Sequence, residues 1–434
     1  MMLSVIVGGM KVFRKELFMR KNSNKDVGGF SRRDFIKASA ALAAAGLGTN
    51  RIYAAGSDKV RVGLIGCGGR GSGALENHLA ACKQIGKAVE VVATADWFKG
   101  RAEGTGKKHG VPAERCFAGA DAYKKLLATD VNVVLIATSP NFRPVHFEAA
   151  AKAGKNVFME KPVAVDPPGA RRVIAAGELA KEKGLGVVAG TQRRHERGYQ
   201  RQAFEIENGA KGRITGGRVS WCGGALWYQK QNDGENDADY MVRNWVSFTE
   251  MSGDHIVEQH VHNLDVANWF IGRPPVSALG FGGRARRKTG NQFDFHSVDY
   301  DWGEDVHIHS MCRQINGTEG GVWEDFVYSG SDKKVNVPEF PEFGGPYVQE
   351  HIDLLNSIFA GKPLNEARNV AQSTMTAIMG RIATYTGVTV KWDDLVKNEG
   401  SRWYNLTLKP TAEDFETGPV TAPDDEIAAI PGKD

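Results

Sequence analysis

The stretch that most limits what this chain can fold into is residues 60–73, VRVGLIGCGGRGSG. The apolar run Val60, Val62, Leu64, Ile65 ends directly in Gly66, Gly68 and Gly71, the spacing G-x-G-x-x-G. A short β-rich run entering that spacing predicts a buried parallel strand turning sharply into a helix. Gly66 permits the turn, Gly68 lets the backbone approach a pyrophosphate, and Gly71 lets the helix lie close to the strand. The helix then offers free N–H groups and a positive dipole end to phosphates. Gly66, Cys67, Gly68, Arg70 and Gly71 are therefore candidate cofactor contacts. A second apolar run at 89–95 ends in Asp96. A carboxylate there binds a ribose 2′-hydroxyl and repels a 2′-phosphate, so NAD is expected over NADP. The ordinary alternative for Asp96 is a helix N-cap.

The chain has 434 residues, 41% of them apolar, enough for a large core and two domains. A formal net charge of +4 implies no basic surface for nucleic acid. Five scattered cysteines without a C-x-x-C pair suggest neither a disulfide framework nor a zinc site. Residues 1–56 read as a leader. Ser-Arg-Arg-Asp-Phe-Ile-Lys at 31–37 resembles a twin-arginine export signal, and the apolar run at 38–48 is too short to span a bilayer. Ala54, Ala55 and Gly56 offer an imperfect cleavage site, and Met19 is an alternative start. The expected partner is the twin-arginine export machinery and the expected location is periplasmic or exported. That route carries folded proteins, which suits a chain that acquires its cofactor in the cytoplasm.

From Asp96 onward strands and helices alternate. Residues 131–137 form a third apolar run ending in Thr138-Ser139-Pro140-Asn141, and 156–159 a fourth running into Glu160-Lys161-Pro162. Helices are expected at 123–127, 145–153 and 168–183, with a last strand at 185–189. This is the order of an α/β, doubly wound parallel sheet, whose ligands lie beyond the carboxyl ends of the strands. Residues 66–71, 138–141 and 160–162 then line one crevice. An ammonium at Lys161 beside a bound cofactor can polarise a hydroxyl and stabilise a developing alkoxide. Its ordinary alternative is a solvated surface lysine.

The second half reads as an α+β domain with a mostly antiparallel open sheet. Runs at 214–222, 277–284, 297–302, 306–313 and 321–329 alternate with period two between Gly-rich turns. His307 and His309 share one face, which suggests an interface, and a homo-oligomer through this sheet is expected. Residues 252–272, SGDHIVEQHVHNLDVANWFIG, read as one helix with Glu258, His262 and Asp265 along a face. Histidine suits a general base because its ordinary pKa of about 6.5 lies near working pH. His255, His260 and His262 are alternatively structural or a metal cluster; H-E-x-x-H is absent and no metal is expected. Helices are expected at 348–359 and 369–386 and a strand at 388–392. The expected domains are a leader at 1–56, a nucleotide domain at 57–185, a substrate and oligomerisation domain at 186–408 and an extended tail at 409–434. The tail would be disordered or wrap a neighbouring subunit.

Residues 136–162, IATSPNFRPVHFEAAAKAGKNVFMEKP, resemble the signature of the Gfo/Idh/MocA oxidoreductase family, and the likeness extends over about 60–390. The resemblance implies that Thr138, Pro140, Asn141 and His146 lie by the nicotinamide, with Ser139 and extra loop residues inserted. It implies that Lys161, beside Glu160, reaches both cofactor and substrate. The family pattern D-x-G-x-H-x-x-D places Glu258, His262 and Asp265 at its proton-transfer positions, with Glu258 for Asp and His260 for Gly. Arg193, His195 and Tyr199, which otherwise read as a cationic helix start, become substrate contacts, as do His260 and Asp265. The implied activity is hydride transfer between a sugar or polyol hydroxyl and a tightly bound NAD(P), with His262 as base, Lys161 steadying the oxygen and Glu258 orienting His262. The alternatives are a glycosidase that oxidises its sugar transiently and a non-catalytic dinucleotide-binding sensor.

Overall fold

In the computed structural model, residues 59–424 are described, and the leader read at 1–56 lies outside them. The first sheet holds six strands: β1 (Val60–Ile65), β2 (Val89–Asp96), β3 (Cys116–Ala118), β4 (Val133–Ile136), β5 (Asn156–Met159) and β6 (Val187–Ala189). Their order is β3-β2-β1-β4-β5-β6 and every pairing is parallel. β4 and β5 are buried at every position, because helices cover both faces, and this is why they read as unbroken apolar runs. β3, with only three half-buried residues, carries too little pattern to be read from sequence. β6 lies beyond the boundary expected at residue 185 yet pairs with β5 in this sheet.

One face of the sheet is covered by the glycine-loop helix Gly69–Gln84 and by a helix from the far end of the chain, Pro346–Phe359, with Leu75, Phe158, Leu354 and Leu355 in one cluster. The chain also returns to protect the open edge, where Val187 N donates to Leu364 O (2.7 Å) and Glu366 N to Val187 O (3.0 Å). The two domains are thus interleaved rather than joined by one linker.

The second sheet has the order β11-β7-β10-β9-β8-β12, built from β7 (Ile214–Gly223), β8 (Ser277–Gly283), β9 (Phe295–Asp301), β10 (His307–Gln314), β11 (Gly321–Tyr328) and β12 (Val390–Lys391). Only β7 and β10 run parallel. Its inner face (Val219, Ala278, Val298, Tyr300, Ile308) packs on helices Val261–Ile271 and Ala367–Thr386. Its outer face leaves Leu279, Phe281 and Val327 exposed.

Two elements differ from expectation. The helix expected over 252–272 is broken: Thr249–Ser252 stops at Gly253 (φ +83°), Asp254 also has positive φ, and His255–Glu258 and Val261–Ile271 follow. The reason lies in the sequence Ser-Gly-Asp, since Asp254 caps a new helix by accepting from His255 N at 2.5 Å. The tail, expected to be extended and either disordered or wrapped on a neighbouring subunit, forms helix Ala412–Thr417 with a capping box between Thr411 and Asp414. Ala412 and Phe415 are buried in the nucleotide domain's core, which draws the tail onto its own chain.

At the crossing after β6, the imidazole of His195 is fully buried between Asp353 (Nδ1 to Oδ2 2.7 Å) and Glu366 (Nε2 to Oε1 3.3 Å). Burial disfavours its charge, but Glu366 and Asp353 outweigh burial and lift the group to about 10. His195 therefore ties the crossing to the C-terminal helices and is not a substrate contact. A raised folded pKa contributes stability that is complete below the unfolded value of about 6.5 and lost as pH rises toward 10. His195→Asn should cost about 3–5 kcal/mol at pH 6. Urea unfolding at pH 6 and pH 9.5 should show the wild-type advantage shrinking, and an advantage that grows with pH would exclude this role.

Candidate functional site

The glycine loop meets its geometric requirements. A Cβ at Gly71 would lie 1.8 Å from Gly66 O, and one at Gly66 (φ +96°) would lie 2.6 Å from the Ala137 carbonyl carbon. The loop after β1 and the loop after β4 are thus in contact, at the point where strand order reverses. A Cβ at Gly68 would meet nothing within 4 Å, so the N-terminus of helix Gly69–Gln84 faces open space of the kind a pyrophosphate needs. Asp96 ends β2 with Oδ2 accepting from Cys67 N (2.7 Å) and Oδ1 from Phe98 N (2.9 Å), so it braces the glycine loop directly. Burial raises its carboxyl above the usual range. Burial, followed by Asp96, pushes the Cys67 thiol up to about 12, so sulfur chemistry is closed to it.

Gly66, Gly68, Asp96, Thr138, Ser139 and His146 line one pocket with Trp97, Arg101, Phe142 and Trp245. Its roof comes from elements with no signal in the sequence. Trp97 stacks on Phe142 (centroids 6.4 Å apart), Phe415 of the tail packs edge-on to both, and Trp97 Nε1 donates to Asp239 Oδ1 at 2.6 Å. Asp239 lies on helix Asp237–Arg243, in a segment contributed by the second domain. Thr138 Oγ1 contacts His146 Nδ1 at 3.2 Å, and burial with Arg143 and Lys124 holds His146 down to about 3, hence neutral. Asn141 is turned inward, accepting from Ser139 Oγ (3.1 Å) and donating to Met251 Sδ (3.2 Å).

Past β5, Glu160 and Lys161 point in different directions. Glu160 accepts from Arg70 Nε (2.5 Å), and Arg70 also reaches Glu350 at 3.4 Å. Glu350 is fully buried, and burial together with Glu160 raises its carboxyl well above the usual range. Lys161 Nζ crosses to the second domain, donating to Glu258 O, Glu258 Oε1 (3.1 Å) and Gln259 Oε1 (3.3 Å). Both side chains of the Lys161–Glu258 pair are about nine-tenths buried, at 10% and 11% exposure. Lys161 is thus no solvated surface residue.

His262 opens helix Val261–Ile271 and stacks on Trp221 of β7 (5.6 Å, 23°). Its Nδ1 is sealed from solvent without a hydrogen bond. Burial, then Lys161, Arg193 and Arg70, hold its pKa well below 6.5, so the ring is neutral. Arg193 and Tyr199 converge on Glu324 of β11, with Tyr199 OH donating to Oε2 at 2.8 Å and Arg193 and Asn263 donating to Oε1. The Arg193 guanidinium lies 5.6 Å from the Trp221 ring centroid.

Three expected members are elsewhere. Asp265 is bound bidentately by Arg194 (2.8 Å each) and by Ser373 at 2.7 Å, a buried brace between this helix, the crossing after β6 and helix Ala367–Thr386. His260 is fully buried with Nε2 2.7 Å from Ser310 Oγ, and burial lowers it to about 3. Glu258 pairs with Lys161 instead of orienting His262. The break in the helix separates Glu258 and His260 from the face that carries His262, whereas Asp265 shares a helix with His262 and is taken by Arg194. Trp221, Asn263 and Glu324 join the site without a sequence signal, since two lie on strands where period two marks a face but not its use.

Residues 60–191 match the oxidoreductase family with NAD-binding Rossmann fold, Gfo/Idh/MocA, and residues 29–48 match the twin-arginine translocation signal. The chain is 30% identical over 215 residues to inositol 2-dehydrogenase of Klebsiella pneumoniae (strain 342), covering 49% of this chain and 54% of that protein. It is 31% identical over 222 residues to inositol 2-dehydrogenase of Ralstonia nicotianae, covering 50% and 56%. The chain spans about half the length of these curated relatives. Among solved structures, the fold is similar to the WlbA dehydrogenase of Bordetella pertussis in complex with NADH and UDP-GlcNAcA (TM-score 0.58, 20% identity, 77% of this chain and 98% of that one). It is also similar to the aldose-aldose oxidoreductase of Caulobacter crescentus complexed with glycerol (TM-score 0.59, 17% identity, 77% and 99%). The nucleotide domain of this chain is thus similar to the NAD-binding Rossmann domain of the Gfo/Idh/MocA oxidoreductase family, and a match to a twin-arginine export signal precedes it.

Proposed function

We propose that this protein is an exported oxidoreductase that transfers hydride between a sugar or polyol hydroxyl and a retained NAD. The observation that carries the reading is the meeting of Lys161, from the end of β5, with the 258–262 segment that bears His262. The nicotinamide supplies the hydride exchange. Lys161 steadies the oxygen as negative charge develops on it, and its pairing with Glu258 keeps the ammonium aimed across the domain boundary. His262 takes the hydroxyl proton at Nε2, because Nδ1 is sealed away. Arg193, Asn263, Glu324 and Tyr199 supply the mixture of donors and acceptors that hydroxyl groups require, beside the apolar face of Trp221.

His262→Ala and Lys161→Ala should each lower kcat by about a hundredfold or more while NAD binding persists. Because His262 is held well below 6.5, its base form persists as pH falls, and the acid limb of the kcat/KM profile should lie well below 6.5. Near wild-type turnover in His262→Ala, or an acid limb at 6.5, would remove His262 from the base role.

Cofactor retention follows from the roof over the pocket. Trp97, Phe142 and Phe415 close one side and the Trp97–Asp239 bond brings in the second domain, so release requires several contacts to break together. A chain exported in folded form then carries its NAD with it, and a bound cofactor must be regenerated in place. That supports a second substrate that returns the hydride, or the redox-neutral glycosidase cycle. Asp96 supports NAD over NADP. Purified mature protein should keep NAD through gel filtration and form little net NADH with one sugar, Phe415→Ala should release NAD faster, and titration of stripped protein should favour NAD. Equal affinity for both cofactors, or stoichiometric excess NADH from added NAD, would overturn these points.

The exposed Leu279, Phe281 and Val327 support self-association through the second sheet. Sedimentation should show an oligomer for the wild type and a smaller species for Phe281→Glu; a monomeric wild type would refute this.

A further inference from the structure

Among the described residues only Asp254, Glu304 and Asp305 combine a side chain with positive φ, and of these Asp254 alone is buried. Its φ of +73° and ψ of 160° belong to a region that favours glycine, and such a residue persists where its surroundings over-determine it. Two histidines face its carboxylate. His255 Nδ1 and His296 Nε2, the latter on β9, each lie 3.4 Å from Asp254 Oδ1, and the three atoms lie within 4.8 Å of one another. All three residues are essentially inaccessible to solvent. Neither nitrogen has a hydrogen-bond partner, so the 3.4 Å contacts lack the alignment of N–H···O bonds.

The tautomer of His296 sharpens this. Thr384 Oγ1 spends its proton on Arg381 O (2.9 Å), so at its 2.9 Å contact with His296 Nδ1 it accepts the ring proton. With that proton on Nδ1, Nε2 presents a lone pair toward the Asp254 carboxylate, and a cation between them would serve both. The 3.4 Å spacing of Asp254 Oδ1 from each ring nitrogen suits a tetrahedral cation. Bonds of about 2.1 Å around a tetrahedral ion separate its ligand atoms by about 3.4 Å. Asp254 Oδ2 is held by Tyr385 OH (2.6 Å) and Phe293 N (3.2 Å), and His296 by Thr384, so outer partners orient the carboxylate and one ring. Arg381, whose charge bears on Asp254, has Nε and one terminal nitrogen without partners, which suits an anion or hydroxide completing the tetrahedron.

We propose that Asp254 Oδ1, His255 Nδ1 and His296 Nε2 bind a tetrahedral divalent ion, zinc by donor type, which ties the 252–262 segment to β9. Its role is structural, because it anchors the segment that presents Glu258 to Lys161 and His262 to the crevice. The proposal does not depend on the reaction assigned above.

The test is the metal content of purified mature protein after gel filtration in metal-free buffer. About one zinc per chain is expected. Stripping it with dipicolinate should lower Tm and Zn2+ should restore it. His296→Asn should weaken zinc binding by about tenfold or more, whereas His307→Asn on the exposed sheet face should not. Metal far below one per chain, with no change in Tm when Zn2+ is added to stripped wild type, would overturn the site, as would equal zinc in His296→Asn. Should His296→Asn fail to fold, the wild-type measurements decide alone.

Discussion

Two adjacent residues at the end of β5 carry opposite duties, and the relation between the domains depends on them. Glu160 turns back into the nucleotide domain to hold Arg70, while Lys161 crosses to Glu258 and Gln259. Neither charge is free to relax into water, because both side chains are about nine-tenths buried. Removing one partner of such a pair leaves the other charge buried without compensation, a cost of about 3–5 kcal/mol. The surroundings are built to fit. A Cβ at Gly190 would lie 2.5 Å from the Glu160 carboxylate, so a glycine must follow β6 for the acid to have its place. Glu350, the second acid beside Arg70, has its carboxyl raised well above the usual range by burial and by Glu160.

The second domain answers with a segment that is deliberately not a continuous helix. The chain stops at Gly253, restarts at His255 and restarts again at Val261, and each restart re-aims the side chains that follow. Glu258 faces Lys161, His262 faces Trp221, and Asp265 faces Arg194. Tyr385 and Arg381 brace the first break, with Tyr385 OH on Asp254 and Arg381 on Gly253 O at 3.0 Å. Ends of the chain far apart in sequence complete the cofactor pocket in the same manner: Phe415 and Asp239 close over Trp97, 318 and 142 positions from it.

Much of the fold was legible because burial writes itself into composition. β1, β2, β4 and β5 are apolar runs, since helices cover both faces, and the second sheet alternates, since one of its faces stays exposed. Segments too short to show a period, such as β3 and helix Asp237–Arg243, left no comparable trace. Within the site, Lys161 and His262 were legible from motif and spacing. Arg193 and Tyr199 were found, but not Glu324, the acid that unites them.

The sequence by itself determined the doubly wound sheet, the glycine loop, the acid at the end of β2 and the lysine after β5. Each of these depends on neighbours within a few residues, where backbone sterics and hydrophobic period act. Only the tertiary structure decided the partners. It sent His195 to Asp353 and Glu366, His260 to Ser310 and Asp265 to Arg194, and it brought His296 to Asp254 across 42 residues. Polar residues carry no periodic signature of the group they will meet. A buried charge or ring nitrogen takes whichever partner the packing of distant elements places within about 3 Å, and that distance exists only after the chain has folded.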